Sequence, residues 1–273
     1  MNKEEIKKIV RRDYARIAKT QGSCCGGPLS KTCINEEISK SIGYNSQELR
    51  SVPQGSNMGL GCGNPIALAS LKEGETVLDL GSGGGFDCFL AAKRVGETGK
   101  VIGIDMTPEM IDRARENVRR SKYRNVEFRL GEIENLPVAN DSVDIIISNC
   151  VINLSTDKGR VFKEAFRVLK PGGRLMVSDI VLSKKLPKVV EENMKAYSSC
   201  ISGAALKDKY LEMIRQAGFQ DVKIVEQSHF PVEYIISDET AKEIVEKLNM
   251  TKERITEIAD SIASVKVYGV KPK

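Results

Sequence analysis

The sequence contains a single histidine, His229, which lies outside every motif described below. We therefore expect no site built around an imidazole, and we predict that His229 is a strand residue with a satisfied ring. Long hydrophobic runs are also missing. No run approaches the roughly 20 apolar residues that a helix needs to span a bilayer, and the N-terminus is charged rather than signal-like. These absences predict a soluble, cytoplasmic protein without a membrane partner.

The chain also lacks low-complexity segments, internal repeats and any long basic run. Its 42 basic and 37 acidic residues are spread along the sequence and give a net charge of +5. The short stretch 119–122 is the only locally basic one, so the charge pattern predicts no nucleic-acid partner. With 273 residues and 41% hydrophobic content, the chain is large enough to bury a sizeable core. Composition therefore predicts one enzyme-sized globular unit.

Seven cysteines are present without a secretory signal, which favours reduced thiols acting as ligands or redox groups over a disulfide framework. Cys150 directly follows the apolar run 145–149, at the end of a predicted strand where open α/β sheets bind ligands. An isolated cysteine in such a place is most often a small buried hydrophobe. We expect that structural role for Cys33 and Cys88.

Apolar runs and helical patterns alternate from residue 75 onward. Strands are predicted near 76–80, 100–104, 125–130, 142–148 and 173–182, and helices at 86–95, 108–120 and 157–169. This alternation predicts an α/β fold with a doubly wound, mostly parallel sheet that is covered by helices on both faces. Two helices within 186–216 flank Cys200. Strands at 221–229 and 264–270 follow, separated by a charged helical stretch at 238–262.

A glycine-rich turn follows the first predicted strand. Gly81 and Gly83 lack a Cβ, so backbone N–H groups can approach a ligand, and the N-terminus of the following helix favours a carboxylate. Asp105 ends the next strand, 20 residues beyond Gly85, where a carboxylate can accept both ribose hydroxyls. We predict a nucleotide site. On these features alone the ligand could be a dinucleotide, or Asp105 could be only a helix N-cap.

Several motifs carry a more specific resemblance, which spans nearly the whole chain. The core resembles class I S-adenosylmethionine methyltransferases in the loop 79–87, in Gly103-Ile104-Asp105-Met106, in Gly131-Glu132-Ile133-Glu134 and in 169–173. It also resembles the arsenite methyltransferases in three cysteine-centred motifs, 61–65, 148–154 and 200–204. The resemblance therefore implies a Rossmann-like methyltransferase core with an N-terminal cysteine-bearing lobe and a helical insertion.

The resemblance implies S-adenosylmethionine as the cofactor and assigns residues to it. Asp79 would orient the glycine loop, and Asn149 would lie beside the methionine portion. Glu132 and Ile133 would contact adenine through a carboxylate and a backbone N–H group, respectively. The implied cofactor-binding residues are Asp79, Gly81, Ser82, Gly83, Gly85, Asp105, Met106, Glu132, Ile133 and Asn149.

The resemblance further implies that Cys62, Cys150 and Cys200 bind trivalent arsenic, and that Cys24 or Cys25 joins Cys62 in a disulfide relay. A soft metalloid prefers thiolates, and three sulfurs leave it pyramidal with a lone pair as the nucleophile. This lone pair carries no proton, so no general base is needed. The implied function is detoxifying conversion of arsenite to methylated arsenicals, with trivalent methylarsenicals as further substrates and a thiol reductant such as glutathione or thioredoxin.

Other functions are compatible with the cofactor loop. A C- or O-methyltransferase for a small organic molecule would share the loop but needs no set of three cysteines. A non-catalytic metalloid sensor or sink, or a zinc-holding protein, could use the same thiols. The sequence predicts four parts: an N-terminal segment, 1–65, with Cys24, Cys25 and Cys62; a core, 66–185; a helical insertion, 186–218, with Cys200; and C-terminal strands and helices, 219–273, that complete the core.

Overall fold

The computed structural model describes residues 2–20, 31–68, 70–191, 197, 200–229 and 251–273. Within these ranges a central sheet has eight strands. Each of the predicted strands is present in it. The strands are β1 (Thr76–Leu80), β2 (Lys100–Asp105), β3 (Val126–Leu130), β4 (Val143–Asn149), β5 (Leu169–Leu182), β6 (Ala205–Leu206), β7 (Gln220–His229) and β8 (Ile262–Val270).

The strand order is β3-β2-β1-β4-β5-β8-β7, and β6 pairs with the end of β5. The pairs among β1 to β5 are parallel, whereas β8 runs antiparallel to both β5 and β7. This arrangement confirms the predicted doubly wound, mostly parallel sheet. The strand order reverses between β1 and β4, and open α/β sheets bind their ligands outside the carboxyl ends of such neighbouring strands.

Helices flank the sheet, and they are numbered in the order in which they occur along the chain. They are α1 (Lys3–Thr20), α2 (Lys31–Ser41), α3 (Ser46–Arg50), α4 (Pro65–Leu68), α5 (Phe86–Val95), α6 (Pro108–Arg119), α7 (Lys158–Val168), α8 (Lys188–Glu191), α9 (Lys207–Gln216) and α10 (Lys252–Asp260), with a 3-10 turn at Ile152–Leu154. Among the described residues, none of the helices is both long enough and apolar enough to cross a membrane.

Two hydrophobic cores lie on opposite faces of the sheet. Alternate side chains of a strand point to opposite faces, so Leu78 packs on one face with Phe162 of α7 and Tyr210 of α9. Val77 packs on the other face with Phe89 of α5. The central strands are buried on both faces, which explains why their sequences are continuous apolar runs rather than alternating ones.

Most predicted strand boundaries agree with the structure to within two residues, and two differences are larger. Strand β5 begins at Leu169 rather than at 173, because Leu169 pairs with Val143 before a register shift between Val143 and Ile145. The two-residue strand β6 was not predicted; it lies just before α9. Of the charged stretch 238–262, the described part contains α10. Residues 238–250, like Cys24 and Cys25, lie outside the described residues.

Candidate active site

A cleft of about 1080 Å³, counted out to its open mouth, lies at the carboxyl ends of β1, β2 and β4. Residues that follow these strands line it, and Lys7, Val10 and Tyr14 of α1 contribute a further wall. Predicted cofactor residues on the wall are Asp79, Gly81, Ser82, Gly83, Asp105, Met106, Ile133 and Asn149.

The glycine loop is held closely against the end of β2. The backbone N–H groups of Gly81 and Ser82 both donate to the Ile104 carbonyl, at 2.8 and 2.9 Å. Gly81 has a φ of 71°, and a Cβ there would lie 2.4 Å from the Val151 side chain, so only glycine fits. Gly83 faces open space, and the buried Ser82 hydroxyl has no hydrogen-bond partner among the described residues. This loop therefore has both room and a free polar group for a ligand.

Asp105 ends β2 within the same cleft. Its carboxylate accepts hydrogen bonds from the backbone N–H groups of Gly83, at 3.0 Å, and Thr107, at 2.8 Å. Burial raises the pKa of Asp105, and these backbone hydrogen bonds oppose the rise. The N-cap of α6 is Thr107 rather than Asp105. Asp105 thus fixes the glycine loop and faces the cleft.

Two predicted cofactor residues lie elsewhere. The Glu132 carboxylate is in ion pairs with Lys7, at 2.7 Å, and Arg11, at 3.3 Å, and Glu132 is not among the residues that line the cleft. The geometry therefore does not support an adenine contact from this side chain, whereas Ile133 lines the cleft. Gly85 is the N-cap of α5, with a φ of 92°. A Cβ there would lie 2.6 Å from the Phe128 ring, so this glycine serves helix packing.

The side chain of Asn149 connects the cleft to the loop that carries Cys62. Its Oδ1 accepts from the Cys62 backbone N–H at 3.0 Å, and its Nδ2 donates to the Gly63 carbonyl at 2.7 Å. The same Nδ2 donates to the Tyr44 hydroxyl at 3.0 Å, and that hydroxyl donates to Asp87 at 2.6 Å. Sequence analysis missed Tyr44 and Asp87. Asp87 stands in the first turn of the helix after the glycine loop, which is a usable signal, but nothing local indicated Tyr44.

Burial raises the pKa values of two carboxyl groups at this end of the cleft, those of Asp87 and Asp79. It raises the pKa of Asp87 to about 6, although hydrogen bonds from Tyr44 and Asn149 oppose the rise. Burial also raises the pKa of Asp79 well above its usual range. The Cys88 thiol donates to Asp79 at 3.1 Å and packs in the core cluster of α5, apart from the cluster that holds Cys62, Cys150 and Cys200.

Cys62, Cys150 and Cys200 are buried side by side in one cluster. The Cys150 thiol forms hydrogen bonds with the thiols of Cys200 and Cys62, and these contacts, together with burial, raise its pKa well above the usual range. Burial also raises the pKa of Cys62. The Cys200 thiol lies 2.8 Å from the Cys150 carbonyl, and the Cys62 thiol lies 3.7 Å from the Ser178 carbonyl. The structure therefore brings together three thiols from distant segments and raises the pKa of two of them, Cys62 and Cys150.

Two of these cysteines have an unusual backbone. Cys150 and Cys200 have φ angles of 60° and 64°, in the left-handed region that L-residues with a Cβ avoid at a cost of about 1–2 kcal/mol each. The Cys150 N–H donates to the Ser178 carbonyl at 2.8 Å, and the Cys200 N–H donates to the Tyr197 carbonyl at 2.9 Å. Strained backbone of this kind concentrates at functional sites.

Glycines beside the cysteines allow the three segments to approach one another. A Cβ on Gly61 would lie 2.6 Å from Asn149 Nδ2, and one on Gly63 would lie 2.0 Å from Ser178 Oγ. A Cβ on Gly203, which follows Cys200, would lie 2.2 Å from the Asn153 carbonyl oxygen. The glycines of these motifs are thus required by backbone proximity, which sequence spacing alone did not reveal.

A buried carboxylate accompanies the thiols. The ligand atoms of Asp179, Cys62 and Cys150 all lie within 4.8 Å of one another. Asn153 Nδ2 donates to one oxygen of Asp179 at 3.0 Å and the Tyr210 hydroxyl to the other at 2.9 Å. Burial raises the pKa of Asp179 to about 7, against the lowering effect of Tyr210. Sequence analysis missed Asp179, because only the pairing of β5 with β4 places it beside Cys150.

Cys62 also faces a second, smaller cavity of about 410 Å³, counted to its mouth. Glu226, Ser264 and Lys266 contribute to its wall, and Lys266 pairs with Glu226 at 2.8 Å. The cysteine cluster is thus bordered by two separate spaces, with Cys150 on the large cleft and Cys62 on the small cavity.

The sheet order, the glycine loop and the acid at the end of β2 define a class I S-adenosylmethionine-dependent methyltransferase, and a family profile described as a methyltransferase domain matches residues 71–218. The chain is 31% identical to the crystal structure of an arsenic(III) S-adenosylmethionine methyltransferase from Chlamydomonas reinhardtii, with a TM-score of 0.63 over 86% of this chain and 73% of that one. The protein belongs to the arsenite methyltransferase family.

Curated relatives agree with this assignment. The chain is 49% identical over 81% of its length to the arsenite methyltransferase of Halobacterium salinarum, and 33% identical over 84% to that of Mus musculus. These matches cover 59% and 62% of the two relatives, so the chain spans about three fifths of their length.

The close approach at Gly63 generates a first prediction. Gly63→Ala should lower the free energy of unfolding by about 1–3 kcal/mol, because its Cβ would overlap Ser178 Oγ and force the Cys62 loop outward. Urea unfolding followed by circular dichroism measures this change. Gly159→Ala in α7 is the matched control, since its Cβ would meet only Asp157 at 3.9 Å. Equal stabilities of the two variants would contradict the packing argument.

The raised pKa of Asp87 predicts a pH-dependent stability. The folded protein holds this proton more tightly than the unfolded chain, so the stabilisation is present below about pH 4 and is lost as the pH rises to about 6. The unfolding free energy of the unchanged protein should therefore decrease as the pH is raised from about 4 to 7.5. In Asp87→Asn, which cannot lose this proton, that decrease should be smaller by about 1–3 kcal/mol. Urea unfolding at both pH values tests this. The exposed Asp112→Asn should keep the full fall, and a full fall in Asp87→Asn would refute the assignment.

Proposed function

We propose that this protein transfers a methyl group from S-adenosylmethionine to trivalent arsenic bound by Cys62, Cys150 and Cys200. The observation that carries this proposal is the convergence of three buried thiols beside the cofactor cleft, with Cys150 on the cleft wall. A C- or O-methyltransferase for an organic substrate has no use for three adjoining thiols. Membership in the arsenite methyltransferase family supports the same substrate.

Arsenite can bind to the thiols without a general base, because the ligand itself removes the thiol protons. Each thiol exchanges with one hydroxyl of arsenous acid, so that an As–S bond forms and the thiol proton leaves within a water molecule. The raised pKa values of Cys62 and Cys150 keep the thiols protonated until this exchange. Three sulfurs leave arsenic with its lone pair, and soft thiolates suit this metalloid. The absence of a histidine from the described part of the site is consistent with this chemistry.

When bound, S-adenosylmethionine supplies an electrophilic methyl group on a positively charged sulfur. Asp105 and the loop around Gly83 suit the ribose and the cofactor carboxylate, and Asn149 suits the methionine portion. Val10 and Tyr14 of α1 add an apolar and an aromatic side chain to the wall of the cleft. Because Cys150 directly follows Asn149, it holds arsenic at the methionine end, and alignment of the reacting atoms supplies the catalysis.

The remaining expectations complete the proposal. Transfer of the methyl group to the arsenic lone pair releases S-adenosylhomocysteine and leaves arsenic formally pentavalent. Cys62 and either Cys24 or Cys25 then give two electrons to arsenic, which becomes trivalent again as the two thiols form a disulfide. A thiol reductant such as glutathione or thioredoxin restores the thiols in the cytoplasm. The position of Cys62 on the wall of a second cavity supports a role for this thiol apart from the cofactor cleft. Segment 1–65 then supplies capture and relay, 66–185 the cofactor site, 186–218 the third thiolate, and 219–273 the strands that close the sheet.

One experiment separates this proposal from its alternatives. The reduced protein is incubated with arsenite, labelled S-adenosylmethionine and a thiol, and arsenic species are separated by chromatography with mass detection. We expect labelled methylarsenicals. Arsenite binding without methylated product would instead identify a sensor or sink.

Asp105→Ala should weaken S-adenosylmethionine binding by about tenfold to a hundredfold, because the charge-assisted ribose hydrogen bonds contribute roughly 1.5–3 kcal/mol. Arsenite binding should stay nearly unchanged. Calorimetry measures both affinities, and the exposed Asp112→Ala provides the control. An unchanged cofactor affinity in folded Asp105→Ala would exclude the ribose contact.

The cysteines should separate by role. Cys150→Ser and Cys200→Ser should abolish methylation of arsenite, because a hard hydroxyl replaces a soft thiolate. Cys88→Ser should retain activity, because its thiol contacts Asp79 outside the cysteine cluster. Cys33→Ser should retain activity as well.

A monomethylated trivalent arsenical sharpens the comparison, because it needs only two sulfurs. Cys62→Ser should still methylate it through the other two thiolates, and so should a variant in which both Cys24 and Cys25 are serine. Rates on both arsenicals test this division. Full arsenite turnover by Cys150→Ser would refute the thiolate site, and equal loss of both activities in Cys62→Ser would refute the separate relay role.

A further inference from the structure

The cysteine cluster offers four ligands, one more than trivalent arsenic uses. Cys62, Cys150 and Asp179 are buried with their ligand atoms within 4.8 Å of one another. The Cys200 thiol lies outside that group of three, but it is buried in the same cluster, 2.8 Å from the Cys150 carbonyl. The set therefore consists of three sulfurs and one carboxylate oxygen. Nothing in the arsenic chemistry proposed above requires the carboxylate, since arsenic makes three bonds to sulfur and keeps a lone pair.

A divalent d¹⁰ cation has the opposite requirement. Zinc carries no lone pair and takes four ligands in a tetrahedron, from thiolate, imidazole or carboxylate groups. Zn–S bonds of about 2.3 Å and Zn–O bonds of about 2.0–2.2 Å require ligand atoms well under 5 Å apart. Bonds of these lengths place tetrahedral ligand atoms about 3.5–3.8 Å apart. The ligand atoms of Cys62, Cys150 and Asp179 lie within 4.8 Å of one another, so side-chain rotations bring them to that spacing.

The surroundings of Asp179 match those of a ligating carboxylate. Each of its oxygens accepts one hydrogen bond, from Asn153 Nδ2 or from the Tyr210 hydroxyl, which fixes the group while leaving lone pairs on both oxygens. Metal-bound carboxylates are oriented by such partners. Lys158 is also close enough to interact with Asp179, so its positive charge offsets part of the negative charge that three thiolates and a carboxylate would leave around a divalent cation.

We propose that, in the absence of arsenic, Cys62, Cys150, Cys200 and Asp179 bind one zinc ion, which arsenite displaces. Three Zn–S bonds form as three thiol protons pass to solvent, and the Asp179 carboxylate completes the tetrahedron. Zinc and arsenic thus share three sulfurs, but only zinc uses Asp179. This site shares its cysteines with the proposed function but does not depend on methyl transfer.

Metal titration tests the site directly. The experiment uses reduced, full-length protein in which Cys24, Cys25 and Cys33 are replaced by serine, so that these other thiols cannot bind metal. Cadmium is the spectroscopic probe, because thiolate-to-cadmium charge transfer absorbs in the ultraviolet, and zinc affinity follows from competition with a chromophoric chelator. We expect one cadmium or zinc ion per chain, and loss of the cadmium band when excess arsenite is added. Absence of tight one-to-one binding would overturn the proposal.

The carboxylate is tested by Asp179→Asn, with the exposed Asp112→Asn as the matched control. Asp179→Asn should weaken zinc binding by at least about tenfold, because one ligand is lost. It should change arsenite affinity by less than about twofold. Tyr210→Phe keeps the buried ring and removes the hydrogen bond to Asp179, so it should weaken zinc binding in the same direction even where Asp179→Asn fails to fold.

Each outcome has a defined meaning. Unchanged zinc affinity in folded Asp179→Asn, or in Tyr210→Phe where that variant alone folds, would overturn the four-ligand site. Equal loss of zinc and arsenite affinity would also overturn it, because the carboxylate would then not distinguish the two. These measurements record metal and metalloid binding only. A protein that binds zinc as expected yet methylates no arsenical would contradict the proposed function and leave the zinc site standing.

Discussion

The side-chain amide of Asn149 is the interaction on which the rest of the site depends. It stands at the end of β4 and binds the backbone of Cys62 and Gly63 on one side and the Tyr44 hydroxyl on the other. Because Tyr44 in turn donates to Asp87, one amide connects the cysteine loop to the helix that begins after the glycine turn. The cleft and the thiol cluster are therefore joined by one hydrogen-bond network. A methyl transfer that depends on alignment requires such a connection.

The position of Asn149 also explains why the thiols meet at this point. β4 and β5 are parallel neighbours, and Asn149 at the end of β4 pairs with Ser178 within β5, so Cys150 emerges beside the next residues of β5. Cys150 then turns back with a positive φ and donates to the Ser178 carbonyl, which directs its side chain into the cluster. Asp179 comes next along β5 and joins the same cluster. The topology of the sheet alone thus assembles a sulfur and a carboxylate.

Much of this architecture was predictable from sequence because it follows from local patterns. Apolar runs located the strands, and the glycine turn followed by Asp105 pointed to the end of the sheet where the structure has a cleft. The contributions of Tyr44 and Asp179 were not predictable, since they depend on tertiary approach and on strand register, which no local pattern encodes. Glu132 shows that a local motif can also predict a contact that the tertiary structure does not favour. Its motif suggested a cofactor contact, but two cations of α1, distant in sequence, hold its carboxylate instead.

Burial resolves an apparent conflict between protecting the thiols and using them. The raised pKa values of Cys62 and Cys150 keep little thiolate present, and because the thiolate is the reactive form, the resting cluster resists oxidation. A base strong enough to deprotonate buried thiols would remove this protection. A ligand that carries its own hydroxyl groups avoids the problem, since each hydroxyl removes one thiol proton as water. Burial therefore favours arsenite over a cation such as zinc at low pH, because zinc binding must release three thiol protons to solvent, and both ligands gain from the softness of sulfur.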